Sequence, residues 1–559
     1  MKRLFSLLLV FSLAIALLAA CDDTSELYYE EETTAAPETT VPTEYEPLIP
    51  PLEEDAEVLT FRYEEQYLDM YYEKLEEYKE HALVDKNMDE LDLLDLQLEE
   101  LLTYLQDQQA IAMVLYYCDM EDEDATQLHL DMTEMITEVQ EGTIETLREI
   151  YKSDSALKDE IFADYTEEEI QTILEYNSDV KDIEQRYSEI VVEYQDMDDD
   201  QVQNDIGPLY AEMVSNYNRL AQIYGYDNYY DYAYERVNSR DYTGEQIQLM
   251  RTYAKEYLLP AYMEAVVKFQ TSFEELSDKK AEEIVAFLYE DYDDVDYLEE
   301  YFDELPDDVR EDMESMFDGN SVFPKSRKAM PGAFTTQINN HPFCFFSRDN
   351  KSTCTIVHEL GHYYSGLCGD LEFIPLDLAE VQSQSHEWLM IAELEDEMRN
   401  DPYQCYLDFR FTSDMATILI CLIIDEFEER VYTSDDVEAF TAKDFDRIME
   451  EVCEGYGGYD FVKENITDVK TYWRQVALEH PVYYISYAVS MIPSMDMYFV
   501  AAEDWEEALN IYLGLTRDIE EEPTFLGALE GAGLASPFDK DVYEAIAERY
   551  DKAAEEEAA

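Results

Sequence analysis

The sequence predicts a mostly α-helical protein, a large body with two lobes, and three observations carry that prediction. Only 16 glycines and 17 prolines punctuate 559 residues, too few turn formers for a β-sandwich or a doubly wound sheet. Leu91, Leu94, Leu98, Leu101, Leu102 and Leu105 recur at spacings of three and four, the apolar stripe of one helix. Comparable stripes run through the first half, as in IVVEYQDMDDDQVQNDIGPLYAEMVSNYNRLA, with no fixed repeat period. Length alone suggests about three domains. No Pro/Gly-rich linker divides residues 56–547, however, so one large helical domain is expected: a helical lobe over 56–320, a second over 321–547, and an acidic tail at 548–559.

The chain opens MKRLFSLLLVFSLAIALLAAC. Lys2 and Arg3 precede an apolar run, Leu4 to Leu18, too short for a comfortable membrane span, which is the pattern of an export signal. The run closes on Leu18-Ala19-Ala20-Cys21, which resembles the lipobox of bacterial lipoproteins. That resemblance implies removal of residues 1–20, a lipid on Cys21, and an extracytoplasmic protein anchored to the cell membrane. Residues 21–55 are acidic and rich in threonine and proline without apolar periodicity, so a disordered tether is expected.

Net charge is −96, from 133 acidic and 37 basic residues. A field of that sign repels phosphate backbones and excludes nucleic acid as a partner. Beyond Cys21 seven cysteines remain, without a C-x-x-C pair, which fits neither a disulfide framework nor a cysteine zinc site.

One segment breaks the helical pattern. AMPGAFTTQINNHPFCFFSRD (Ala329 to Asp349) carries Pro331, Gly332 and the Asn339-Asn340 pair between short aromatic runs, predicting a hairpin with strands near Ala333–Gln337 and Pro342–Ser347. Ser352 is the expected N-cap of the next helix, which Gly366 and Gly369 should end. That helix contains TIVHELGHYYSG, hence His358-Glu359-Leu360-Gly361-His362. One turn apart on one face, His358 and His362 offer two imidazoles at a spacing Zn²⁺ accepts. Glu359 projects to the flank, where a general base for hydrolysis belongs.

A third ligand is still required. A histidine six residues after His362 and a glycine three after it would extend the motif, but Cys368 and Ser365 stand there. PLDLAEVQSQSHEWLM (Pro375 to Met390) supplies carboxylates instead: Asp377 as helix cap, Glu380 in the first turn as ligand, and Glu387 two turns on, placed to orient a ligating histidine. His386 and Asp377 are lesser ligand candidates. Cys354, one turn before His358, is expected to be a buried small apolar residue.

These residues resemble the thimet oligopeptidase and oligoendopeptidase F family of zinc peptidases. The resemblance rests on Gly332-Ala333-Phe334 before a strand and the H-E-x-x-H helix, on EVQSQSHEW (Glu380 to Trp388), on PVYYISYA (Pro481 to Ala488), and on SMDM (Ser494 to Met497). It implies a two-lobed helical body with a deep channel for short unfolded peptides, and one zinc ion. It also implies that Tyr484 and Tyr487 donate phenol hydrogen bonds to the oxyanion. Their i, i+3 spacing puts both on one face, and tyrosine stays protonated near neutral pH. The sequence departs from the family at Val476, where a histidine is usual; His480, before Pro481, is the residue left to serve there. The loop from His362 to Glu380 is also short for the family. The strand around Phe345 (Phe343–Ser347) is expected to hold the peptide backbone by edge pairing.

The expected activity is zinc-dependent endopeptidase action on short peptides at the outer face of the membrane. Two alternatives stay open: a non-catalytic peptide-binding lipoprotein on the same fold, and a zinc carboxypeptidase. Asn340-His341-Pro342-Phe343 and the Gln-Ser pair after Glu380 resemble the carboxypeptidase Taq type, whereas the tyrosine motif does not. The sequence carries no signal of oligomeric state.

Overall fold

Tyr67, Tyr71, Leu75 and Tyr78 form the buried face of the first helix, α1 (Glu65–Glu80). The predicted leucine stripe is the buried seam of α2 (Met88–Cys118), with Leu98, Leu101, Leu102 and Leu105 fully out of water. Each contributes about 1.5–3 kcal/mol by leaving solvent. The third helix, α3 (Glu123–Lys152), starts where the Asp122 side chain accepts from the Asp124 and Ala125 amides, and it packs with α1 and α2. Tyr71 on α1 meets Thr143 on α3 in a buried hydrogen bond of 2.6 Å.

This computed structural model describes residues 47–50 and 58–557, apart from 86, 164, 196, 290–296, 348–351, 370–373, 399–400 and 520–522. The signal segment, Cys21 and most of the tether lie outside the described residues. Residues 47–50 of the tether are not free chain. The Leu48 and Ile49 amides donate to the Glu100 carboxylate on α2, at 3.1 and 2.8 Å.

The predicted hairpin is present as β2 (Ala333–Ile338) and β3 (His341–Phe346), joined at Asn339 and Asn340. Both asparagines have φ near +57°, the conformation of a tight two-residue hairpin turn that asparagine tolerates. A strand not expected from the sequence, β1 (Ser321–Val322), pairs parallel with Cys344 and Phe345 and gives the order β1-β3-β2. Two residues are too few to leave a periodic signal.

The third strand corrects one expectation. β3 is the central strand, bonded on both sides at Cys344 and Phe345, so this stretch offers no free edge for a peptide backbone. The Phe345 ring is fully buried, stacked on Phe334 at 5.1 Å and packed with Ile111, Val114 and Tyr117 of α2. Its side chain is core and is not available to a substrate.

The chain divides into two compact units, each built from two stretches: Met1–Gln185 with Ser315–Asn350, and Arg186–Glu314 with Lys351–Ala559. The division does not fall at residue 320, because the sheet belongs with the first helices and the histidine motif with the later ones. Residues 548–557 of the acidic tail are helical, the end of Lys540–Glu557.

The described elements of the second unit are helices. Its main elements are α4 (Ile206–Ile223), α5 (Gly244–Tyr253), α6 (Leu259–Glu275), α7 (Thr353–Cys368), α8 (Leu376–Met398), α9 (Asp401–Tyr432), α10 (Ile485–Glu503) and α11 (Trp505–Leu515). α8 packs most extensively on α10 and next on α7, while α9 lies against α6 and α10. The seven described cysteines are all free thiols, and no helix among the described residues is long and apolar enough to cross a membrane.

Candidate active site

α7 begins as expected, with the Ser352 side chain accepting from the Thr355 amide. It continues through Gly366 to Cys368, and Gly369 caps it. Its buried face seats Ile356, Val357, Leu360, Gly361, Tyr363 and Tyr364. Glu359, between the two histidines, is only 4 % exposed. The His358 and His362 rings lie 5.0 Å apart, nearly perpendicular.

α7 and α8 touch backbone to backbone at Gly361. A methyl group there would lie 2.6 Å from Ser383 Cα and 3.2 Å from the Gln382 carbonyl oxygen, so only glycine permits this approach. Two polar contacts fix the same seam. Ser365 Oγ donates to Gln382 Oε1 at 2.7 Å, and His386 Nδ1 meets the Val357 carbonyl at 2.8 Å. His386, a lesser ligand candidate, thus joins the two helices; burial lowers its pKa to about 4, so it is neutral near pH 7.

The close seam brings Glu380, fully buried on α8, to the histidines of α7. One ligand atom from each of His358, His362 and Glu380 lies within 4.8 Å of the others, and His358 Nε2 is 3.9 Å from Glu380 Oε2. Among the described residues, His362 Nε2 is buried without a hydrogen-bond partner, which suits a nitrogen reserved for a cation. Two imidazoles and one carboxylate are a known donor set for catalytic zinc at bonds of about 2.0–2.2 Å, with a position left open. The residues present therefore fit a zinc ion.

Glu387 sits behind this set. Its Oε1 lies 2.9 Å from His358 Nδ1, which assigns the proton to Nδ1 and turns Nε2 toward Glu380. Burial works against the charged forms of both partners. The Glu387 bond and charge nevertheless raise the His358 pKa above the ordinary imidazole range, while Arg410 and His358 hold Glu387 well below the usual carboxylate range. A metal taking His358 Nε2 would release the extra proton.

Arg410 and Asp414, both on α9, were not singled out from the sequence. Arg410 Nη1 donates to Glu387 Oε2 at 2.5 Å, and its Nε pairs with Asp414 Oδ1 at 3.0 Å. A lone arginine in the apolar stretch CYLDFRFTSDM, with an aspartate four residues on, was the available signal.

Other expectations are corrected. Asp377 is not the cap of α8 but lies inside its first turn, buried, with Oδ2 3.8 Å from Arg240 Nε. Its side chain turns to that guanidinium. Cys354 Sγ lies 3.4 Å from the Tyr406 hydroxyl and is partly exposed.

The tyrosine motif forms a separate cluster where α10 begins. Tyr484 is the residue before α10 and Tyr487 lies in its first turn, with rings 5.6 Å apart and edge-on. The buried His480 ring lies 5.7 Å from Tyr483 and 6.4 Å from Tyr484. α10 packs along α8, the helix that carries Glu380 and Glu387. The Val476 side chain lies outside the described residues.

The architecture, helices with one three-stranded sheet, is the fold of a class of solved oligopeptide peptidases. It matches PZ peptidase A, solved with an inhibitor, at a TM-score of 0.67 and 16 % identity, over 89 % of this chain and 99 % of that one. It also matches a structure assigned as an oligoendopeptidase F from Bacillus anthracis str. Ames (TM-score 0.66, 16 % identity, 88 % of this chain and 97 % of that one). The oligoendopeptidase F of Enterococcus faecium matches at 0.52, with 12 % identity over 88 % and 99 % of the two chains. At these identities the likeness establishes the fold. No protein-family model and no curated protein matches the chain.

Proposed function

We propose that this protein is a zinc-dependent endopeptidase that hydrolyses short, unfolded peptides. The observation that carries the reading is the convergence of His358, His362 and Glu380, with Glu387 locking the His358 tautomer, on a fold shared with oligopeptidases. A zinc ion held there supplies Lewis-acid polarisation of the scissile carbonyl and acidifies water. Glu359 takes the proton of the attacking water and returns it to the leaving amine. Tyr484 and Tyr487 donate hydrogen bonds to the oxygen that gains negative charge. Their role follows from the resemblance of PVYYISYA to the family motif and from their pairing at the start of α10. The export signal and lipid on Cys21 would place this activity at the outer face of the membrane.

The reading is tested by incubating the detergent-solubilised full chain with a pool of short peptides and following products by mass spectrometry, with and without a chelator. Chelator-sensitive internal cuts are the expected result. Release of single C-terminal residues would replace it with a carboxypeptidase, and intact peptides beside a zinc-loaded protein would replace it with a peptide binder.

The Arg410 contact makes a further expected outcome. Arg410→Met leaves Glu387 without its buried cation, so His358 loses its fixed orientation. Zinc affinity, read by chelator competition, should fall by about 10–100-fold, the usual effect of removing a group that supports a metal ligand. An unchanged affinity would show that Glu387 orients His358 unaided.

A further inference from the structure

We infer that Arg240 and Glu428 are positioning residues for Tyr484 and Tyr487, holding Val482, two residues before Tyr484, in a strained left-handed conformation. The inference rests on the reading of those tyrosines as oxyanion donors and adds the device that places them.

Val482 has φ +63°. The other described non-glycine residues at positive φ are Ser239, Asn339, Asn340 and Asp436, polar residues of the kind that turns tolerate. Val482 alone among them is β-branched, and for such a side chain this region is a genuine outlier that surrounding structure must impose. Both polar groups of the Val482 backbone are gripped by polar side chains from remote segments, a guanidinium and a carboxyl group that burial pushes well above the usual carboxylate range. Its amide donates to Glu428 Oε1 at 2.7 Å, and its carbonyl accepts from Arg240 Nη2 at 2.9 Å. The same Nη2 reaches the Tyr483 carbonyl at 3.5 Å and Ser486 Oγ at 3.0 Å, so one guanidinium spans the turn on both sides of Tyr484.

Arg240 also reaches Asp377 in the first turn of α8, three residues before Glu380. A single cation therefore ties the start of the helix bearing the glutamate ligand to the start of the helix bearing the tyrosines. The cation is stacked over the Tyr234 ring at 4.4 Å, and Arg240, Asp377 and Glu428 are all buried. An arginine and two carboxyl groups buried around a strained turn are a poor way to gain stability, since well-packed apolar residues serve as well or better. Strain of this kind concentrates where geometry must be exact for chemistry. A displacement of about 1 Å at a reacting centre can cost about 10²-fold in rate.

The test compares four variants of the zinc-loaded full chain: Arg240→Met, Glu428→Leu, Glu428→Gln and Val482→Gly. Peptide hydrolysis, thermal midpoint and amide hydrogen exchange over residues 480–488 are read for each. Arg240→Met and Glu428→Leu should lower kcat by about 10²-fold with little change in KM, and speed exchange in that segment. Glu428→Gln keeps an oxygen for the Val482 amide and should restore most of the kcat lost in Glu428→Leu. Val482→Gly deletes a fully buried side chain and lets the turn sample other conformations, so its thermal midpoint and kcat should both fall. Wild-type kcat in Glu428→Leu or Val482→Gly, with only the midpoint moved, would make the clamp purely structural and overturn the inference. Should Glu428→Leu fail to fold, Val482→Gly decides by the same split. Unchanged exchange in Arg240→Met and Glu428→Leu would overturn the clamp itself, whether or not the wild type cuts peptides. A wild type that cuts none overturns the peptidase reading and, with it, the role of the clamp in catalysis.

Discussion

Glu359→Gln should abolish peptide turnover while leaving zinc in place. Glutamine has nearly the shape of glutamate, so the substitution fits the space that Glu359 occupies at 4 % exposure on α7. It leaves His358, His362 and Glu380 untouched. What it removes is a carboxylate able to accept a proton from water and return it to the leaving nitrogen. Loss of such a group costs about 10²–10⁴-fold in rate. The measurement is kcat beside zinc content per chain, with wild-type protein as reference. Full activity would exclude Glu359 as the base. Loss of zinc would mean that the residue shapes the ligand set and does not act on the reaction alone.

The second large effect is expected where the helices of the site touch. Gly361→Ala places a methyl carbon 2.6 Å from Ser383 Cα, a backbone atom that cannot swing aside. Overpacking of this kind costs about 1–3 kcal/mol. Relief requires α7 and α8 to separate, and Glu380 stands one turn before Ser383 on α8. The variant should therefore lose thermal stability and zinc affinity together. Thermal denaturation of the metal-free protein and a zinc titration measure the two effects separately. Unchanged zinc affinity in a destabilised Gly361→Ala protein would show that the close approach serves packing and not the seating of Glu380.

Several features are legible in the amino-acid sequence alone. The leucine stripe of α2, the Ser352 cap of α7 and the turn at Asn339-Asn340 follow local rules, because capping, helical periodicity and positive-φ turns depend on residues within a few positions of one another. The same locality places His358 and His362 on one face of one helix and Glu380 on the next helix. Where local rules compete with a distant partner, they mislead. Asp377 has the composition of a helix cap, yet Arg240, 137 positions earlier by the chain numbering, draws it into a buried ion pair. β3 reads as one arm of a hairpin, and only the two residues of β1 make it central. Phe345 reads as a site residue and is core because α2 covers it.

Local sequence is enough to specify the helical class, the positions of the candidate ligands along their helices and the candidate base. All are written in spacings that one helix or one turn can read. It takes the packed fold to bring the ligand atoms of His358, His362 and Glu380 together, to stand Glu387 and Arg410 behind them, and to close Arg240 and Glu428 on Val482. The glycine contact at Gly361 sets how closely two helices approach, and buried charges find partners across 23 to 242 residues of chain. Spacing along one helix carries no information about either, because both depend on which faces pack together once the chain has folded.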